Sequence, residues 1–407
     1  MNKTVIASLL YCVVVFSANA EFKSTTVIQL HAVHSDGIDS WLERDTGQTR
    51  YDAQDSLEIG QLMSSLEYDV GDGLSLHGVL RYQHDQDVGL GITQLFAEYK
   101  PLWSAKFKPT FRAGIFYPEM SYENVDTGWL SPYTYSFSAI NSWIAEEQRT
   151  AGLEMKLDIL TAPRAAHKFS ITAAAFKGND TLGTLLAWRG WAIHDRQTVL
   201  NETVLFETYP SIGPESPLSK QAAWVEPSRE IDGEVGFYIG GEWNYQNKNR
   251  LRYFYYDNNG DVYAPLAQGG QFAWKTRYHS LAWQYRFNRQ WRLLAQILRG
   301  DTAEWRNLVT LDFSASYVML NFSQKQHRFS LRYDWFDTVD TDTVYLDNND
   351  GDGDGYTLAY KYVYSDHWQF GIEHLSMDTF RANRAQWPAR DVNVSQHQTM
   401  AVAEYRF

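Results

Sequence analysis

The chain has 407 residues, a single cysteine and a formal net charge of −13. An acidic chain lacks the basic surface that polyphosphate backbones require, which excludes nucleic acid as a partner. Aromatic residues make up 15% of the chain, yet its mean hydropathy is −0.43. No stretch beyond residue 20 approaches the roughly 18 consecutive apolar residues of a membrane-spanning helix.

The first segment is Met1-Asn2-Lys3, a mostly apolar run over 4–16, and Ala18-Asn19-Ala20. A positive start, a short apolar core and a small-x-small cleavage site predict a secretory signal peptide over 1–20. The run is too short to span a bilayer. Cys12 lies inside it, so the mature chain from Glu21 has no thiol. Disulfides, a cysteine zinc cage and a cysteine nucleophile are thereby excluded from the mature protein. Loss of Lys3 makes that chain one unit more negative. No linker, low-complexity tract or composition break divides 21–407, which predicts one domain.

Period-2 alternation then recurs along the chain. Phe107, Phe111, Ala113 and Ile115 alternate with Lys106, Lys108 and Arg112. Leu251, Tyr253 and Tyr255 alternate with Arg250 and Arg252. Leu281, Trp283, Tyr285 and Phe287 are followed by a turn at 288–290 and then by Trp291, Leu293, Ala295 and Ile297. Phe313, Ala315, Tyr317 and Met319 precede Phe329, Leu331, Tyr333 and Trp335. Tyr356, Leu358, Tyr360 and Tyr362 precede Trp368, Phe370 and Ile372. Each run is about ten residues, the length of one tilted bilayer crossing by a strand.

Short connections (71–73, 161–163, 246–249, 288–290, 365–366) alternate with long ones (35–55, 118–148, 180–232, 340–355, 381–395). In lipid every backbone N–H and C=O must be paired internally, so an apolar-faced sheet has to close on itself. The pattern predicts an all-β, closed antiparallel transmembrane β-barrel of about sixteen strands. Fourteen and eighteen are the competing even counts. Short turns then face the periplasm and long loops the outside. A soluble all-β sandwich is the alternative, and it explains neither the alternating loop lengths nor the Tyr and Trp near strand ends.

The chain ends Val402-Ala403-Glu404-Tyr405-Arg406-Phe407. A terminal Phe with an aromatic two positions earlier puts both rings on one strand face. It is similar to the C-terminal segment that barrel assembly machinery reads in outer-membrane proteins. With the leader and the ladder of strands, the chain resembles the Gram-negative outer-membrane porin class, across the whole mature chain as architecture. The string Ala113-Gly114-Ile115-Phe116-Tyr117-Pro118 is similar to segments of phosphate-selective porins, but identifies no subfamily.

The resemblance implies a cell-outer-membrane location among lipid and lipopolysaccharide, a homo-oligomer (trimeric by class), and passive diffusion of small hydrophilic solutes or ions through a water-filled lumen. It also implies that the long connection 118–148 folds inward as a constriction. Glu119, Glu123, Asp126, Glu146 and Glu147 then face the opening. The loop 180–232 is either a lid over the mouth or a lateral packing element.

On the strands, positions between the lipid-facing ones line the pore. These are Lys106, Lys108, Arg112, Arg250, Arg252, Arg292, Arg328, Arg332 and Lys361, with the acids Glu154, Asp158, Asp312, Asp334 and Glu373. The basic excess leans toward anions and the loop acids oppose it.

Asp350, Asp352 and Asp354 with Gly355 match the opening of a calcium loop, but position twelve is Lys361 where a Glu is required. External calcium, or a divalent bridge to lipopolysaccharide, competes there with a solvated turn, and the turn is preferred. No other cofactor is expected. No nucleophile motif accompanies the histidines, so the chain is read as a channel and not an enzyme. A barrel lipid hydrolase or protease and a plugged structural or adhesion barrel are the alternatives.

Overall fold

The computed structural model describes residues 21–104, 106–160 and 165–407. The leader over 1–20 and the turn expected at 161–163 lie outside the described residues. Among these, sixteen antiparallel strands close into one barrel. The first half uses Glu21–Asp36, Asp55–Gly71, Leu74–Tyr82, Gly91–Tyr99, Phe107–Phe116, Thr150–Leu160 and His167–Lys177. The second half uses Gly236–Tyr245, Asn249–Asp257, Trp274–Arg286, Trp291–Glu304, Val309–Gln324, His327–Asp340, Gly351–Val363, Trp368–Arg381 and Asn393–Arg406.

Each strand pairs with its sequence neighbours. The barrel shuts where Glu21–Asp36 meets Asn393–Arg406, from Val27 opposite Arg406 to Asp36 opposite His397. Closure leaves no sheet edge. The last residue is tied in as well: Thr26 N–H donates to Phe407 O at 2.8 Å, and Phe407 N–H returns to Thr26 O at 3.1 Å.

The outer face is apolar. Leu331, Leu358 and Ile372 stand 52, 57 and 49% exposed, which is tolerable only against a non-aqueous medium. At the short-turn end this band terminates in paired rings. Trp291 meets Phe322 with centroids 4.7 Å apart, Phe329 meets Tyr360 at 4.8 Å, and Trp368 meets Tyr405 at 4.8 Å. These rings form the aromatic girdle of a transmembrane barrel.

One strand differs from the expected facing. In Val309–Gln324 the apolar residues Phe313, Ala315, Tyr317 and Met319 point inward and are buried, while Val318 is outside and Asp312 is exposed on the outer face. Asp312 therefore does not line the lumen. The inversion has a physical cause: the interior at this height is filled with protein, so the inward face is the apolar one.

The segment read as a solvated turn, with external calcium as the competing reading, is also different. Gly351–Val363 is a strand, with its glycines turned inward and its aspartates outward. A Cβ on Gly355 would approach Ile193 Cδ1 to 2.9 Å, and one on Gly353 the Phe336 ring to 2.7 Å. The glycines make room for the filled interior. Asp352 and Asp354 sit i, i+2 along an extended strand. Asp350 is in the preceding loop, accepting from Asp340 N–H at 2.7 Å. The three carboxylates do not converge, and the calcium expectation does not carry over to this geometry.

Gly371 is another such position. A Cβ there would meet Tyr135 Oη at 2.3 Å and Tyr360 O at 2.7 Å. Gly371→Val is expected to displace Tyr135 and cost about 1–3 kcal/mol, as overpacking does. A lowered unfolding midpoint in detergent checks it.

Candidate functional site

Two long connections enter the barrel. Every residue from 133 to 150 and from 178 to 199 is buried. The first inward segment is organised by helix Ala139–Glu147, which Ser138 caps by accepting from Asn141 N–H at 3.3 Å. All nine helix residues are buried. Trp143 packs edge-on against Trp191, Tyr278 and Phe313 with centroids 5.7, 5.5 and 5.4 Å away. The second inward segment contains the short helix Thr184–Trp188. Beyond it, 200–232 caps the long-loop end. Its hairpin of Val204–Leu205 and Trp224–Val225 packs with Trp41, Trp274, Val309 and Leu311.

The strand residues expected to line an open pore grip this fill. Arg332 donates to Glu123 Oε1 at 3.0 Å, to Ser136 O and Phe137 O at 2.8 Å each, and to Asp334 Oδ2 at 2.6 Å. Lys361 Nζ donates to Ser131 O and Thr134 O at 3.0 Å. Glu373 accepts from Tyr135 N–H at 2.6 Å and Ser136 N–H at 2.8 Å. Asp334 accepts from Ala139 N–H at 3.0 Å.

Arg252 donates to Ser121 O at 3.2 Å and to Glu242. Arg250 pairs with Glu242 and Arg112 with Glu154. Arg292 and Arg328 are half-buried on the short-turn side, and Lys106 and Lys108 are exposed there, Lys106 in the turn ahead of its strand. Glu154 accepts from Tyr238 Oη as well. Asp158 stands opposite Lys108 in the strand register.

Of the five loop acids, only two face open space. Glu119 and Asp126 line a cavity of about 430 Å³ on the short-turn side, with Tyr122, Trp129, Lys156 and Arg252. Glu123, Glu146 and Glu147 are fully buried, contrary to expectation. Glu123 ties Arg332 to Ser138 and Asn141. Glu146 pairs with Arg189, Arg196 and His194 in the second segment. Glu147 accepts from Leu185 N–H at 2.7 Å and Trp143 Nε1 at 2.5 Å. Glu146 and Glu147 cross-link one inward loop to the other, and Glu123 ties the first loop to the wall. A second cavity, of about 360 Å³, also opens toward the short turns and includes Tyr133, Arg292 and Arg328.

Among the described residues, the carboxyls close enough to share a cation are Asp180, Glu230 and Asp232, a group the sequence pattern did not single out. The Glu230 oxygens already accept from backbone N–H of Gly178 (2.6 Å) and Gly233 (2.8 Å), an Asp180 oxygen from Asp232 (3.2 Å) and Ile231, and the Asp232 oxygens from Glu234 (2.8 Å) and Asp261 (2.6 Å). Ser75 Oγ lies 2.8 Å from His77 Nε2, and Glu98 is 3.9 Å from that same nitrogen. The carboxylate does not orient the imidazole through Nδ1, so the arrangement differs from a nucleophile relay.

No protein-family model matches the sequence, and no curated protein matches it. Solved structures do match by shape over nearly the whole chain. The outer membrane channel DcaP of Acinetobacter baumannii gives a TM-score of 0.57 at 10% identity, covering 96% of this chain and 99% of that one. OmpT, an outer membrane protein of Vibrio cholerae folded in vitro, gives 0.56 at 10% identity, with 97% and 99% covered. An anion-selective porin from Comamonas acidovorans gives 0.55 at 12% identity, with 96% and 100% covered. The fold is that of the sixteen-stranded outer-membrane porins. In this porin fold the site of interest is the lumen and the two loops that occupy it.

The loops carry opposed titrations. Burial pushes the Glu147 carboxyl up to about 7, against its backbone donor and nearby Arg189. Burial does the same to Asp180, with Asp232 and Glu230 adding to it, and to Asp347, each to about 7. Glu146 is also buried, but Arg189, His194 and Arg196 hold it far below the usual range. Asp85 is held at about 2 by Arg50 and Arg196 against its burial.

A carboxyl raised in the folded state favours docking fully below its unfolded pKa of about 4, and this is lost as pH rises through about 7. The Glu146 and Asp85 contributions are fully present above their unfolded pKa of about 4 and are lost only as pH falls below it. His194, lowered by burial, opposes the trend below about pH 6.5. Three raised carboxyls outweigh one imidazole. Loop docking is expected to weaken from about pH 5 to about pH 7.5, by on the order of 2–3 kcal/mol for Glu147 alone. Amide exchange over 133–149 at pH 5 and pH 8, corrected for intrinsic rates, measures it, and greater protection at pH 8 contradicts it.

Proposed function

We propose that this chain is an outer-membrane channel of the porin kind that admits small hydrophilic solutes or ions, with its lumen closed to wide flow by two inward loops. The observation that carries this reading is how the closure is made. The barrel is complete without the loops, and they are held to its wall by side-chain hydrogen bonds and ion pairs, chiefly at Arg332, Lys361, Asp334 and Glu373. Such contacts can break without disturbing a strand ladder. Two cavities on the short-turn side, of about 360 and 430 Å³, already reach the fill. Selectivity then comes from wall charge and loop position.

The leader over 1–20 and the aromatic terminus at Tyr405 and Phe407 support export and assembly into the outer membrane. OmpT of Vibrio cholerae occurs in a trimer form, and a homotrimer is the assembly we assign here. The chain is read as a transporter without catalytic chemistry.

Planar-bilayer recording tests the proposal. The intact protein is expected to give small, intermittent conductance. A variant with 121–146 replaced by a short Gly-Ser linker is expected to give large, steady conductance. Silence from both overturns it. A second reading, a permanently plugged structural barrel, is favoured by the unbroken burial over 133–150 and 178–199. It predicts conduction only from the deletion variant, with the intact protein silent at every voltage and pH.

A further inference from the structure

The cavity of about 360 Å³ differs in charge from its neighbour. In the larger cavity each cation has a carboxylate: Arg112 and Lys156 face Glu119, while Arg250 and Arg252 face Glu242. The smaller one is lined by Arg286, Arg289, Arg292, Lys325 and Arg328, and by no acid. Among the described residues none of these five forms an ion pair.

The strand register forces the charges together. Arg286 stands directly opposite Arg292, and Arg328 directly opposite Lys361. Like charges at opposed positions destabilise a sheet; Lys361 lies near Glu404, Glu373 and Asp126, but no carboxylate lines the cavity beside Arg286, Arg292 and Arg328. The roof comes from the inward loop: Tyr133 Oη accepts from Arg292, whose guanidinium also lies 5.5 Å from the ring centre. Asn288 and Ser323 add neutral hydrogen-bonding groups to the lining.

The geometry points to a binding site for a small multivalent anion, one that carries phosphate groups or several carboxylates, entered from the short-turn side. Guanidinium forks pair bidentately with both kinds of oxyanion. The volume lies within the roughly 300–1,000 Å³ of small-molecule sites. An anion bound here competes with Tyr133 for Arg292 and so touches the loop that fills the lumen. This role in transport rests on the channel reading; the binding itself does not.

Calorimetric titration of the purified full-length protein, in detergent at low salt, tests it with pyrophosphate, citrate and acetate. Saturable binding of pyrophosphate, citrate or both, with acetate at least tenfold weaker, is expected. Pyrophosphate alone marks a phosphate site, and both together mark a site that reads charge. Arg286→Gln with Arg328→Gln is expected to weaken binding at least tenfold. Ser323→Asp keeps every cation and adds a carboxylate, and the same loss is expected from it. Arg250→Gln, in the paired cavity, leaves binding unchanged. Heat-modifiable gel migration establishes that each variant is folded.

Absence of saturable binding by the intact protein overturns the assignment. So does equal binding by the intact protein, the double variant and Ser323→Asp. Binding without bilayer conductance leaves the site standing and removes the channel. Conductance without binding removes the site alone.

Discussion

Arg332→Ala is expected to undock the first inward loop, at a cost of about 3–5 kcal/mol, the range for removing one partner of a buried ion pair. Arg332 is completely buried, and its guanidinium is shared between a strand neighbour, Asp334, and a loop acid, Glu123, both buried with it. It also closes the loop carbonyls of Ser136 and Phe137. Without it, two carboxyls face each other in a water-poor interior, the Ser136 carbonyl loses its donor and the Phe137 carbonyl keeps only Ser142 Oγ. The strands have nowhere to go, because their ladders are intact. The loop can reach water, so it bears the loss. A change of that size raises the undocked fraction by roughly two to three and a half orders of magnitude, at about 1.4 kcal/mol per factor of ten.

Open time in bilayer recordings is therefore expected to rise steeply, with a lower first unfolding transition. Arg332→Lys keeps the charge but not the fork, and should fall between. Adding Glu123→Gln and Asp334→Asn to an Arg332→Met background should recover part of the docking, since it removes the stranded charges. An Arg332→Ala protein that conducts and melts as the parent does would show that the loop is held by something else.

The barrel was legible because lipid imposes a strict rule on strands. Runs such as Leu281, Trp283 and Tyr285 or Phe329, Leu331 and Tyr333 alternate with small or polar residues, and the period of two follows directly. The contents of the barrel were not legible by the same rule. A wall residue facing water and one facing a loop carbonyl both appear as an isolated polar position. Arg332, Lys361 and Glu373 gave no sign that they hold a loop.

Two misassignments have the same origin. Along Val309–Gln324 the apolar residues face inward because the helix Ala139–Glu147 lies there, so hydrophobicity no longer marks the lipid side. In 350–355 the alternation of Asp and Gly is that of a strand whose inner face must be bare, yet it imitates a cation loop. One signal was available. Ser138 precedes Ile140, Trp143 and Ile144, a capping residue followed by helical spacing. A loop resting in solvent does not need an amphipathic helix, and this one foretells a surface inside the barrel for it to meet.

That surface makes Trp143 the other large lever. Trp143→Ala is expected to cost about 3–5 kcal/mol, because the indole is fully buried between Trp191 of the second inward segment and Tyr278 and Phe313 of the wall. Its Nε1 donor to Glu147 is lost as well, leaving that buried carboxyl with one donor fewer. The effect differs from that of Arg332 in kind. Arginine removal strands charge, and no small neutral molecule repairs it. Tryptophan removal leaves an apolar cavity of the shape of an indole ring, and dry apolar cavities bind small aromatic molecules.

Added indole should therefore close Trp143→Ala channels in a saturable way and leave Arg332→Ala channels unaffected. Equal indole sensitivity of the two variants, or none in either, would mean that Trp143 is not what holds the two inward segments against the wall.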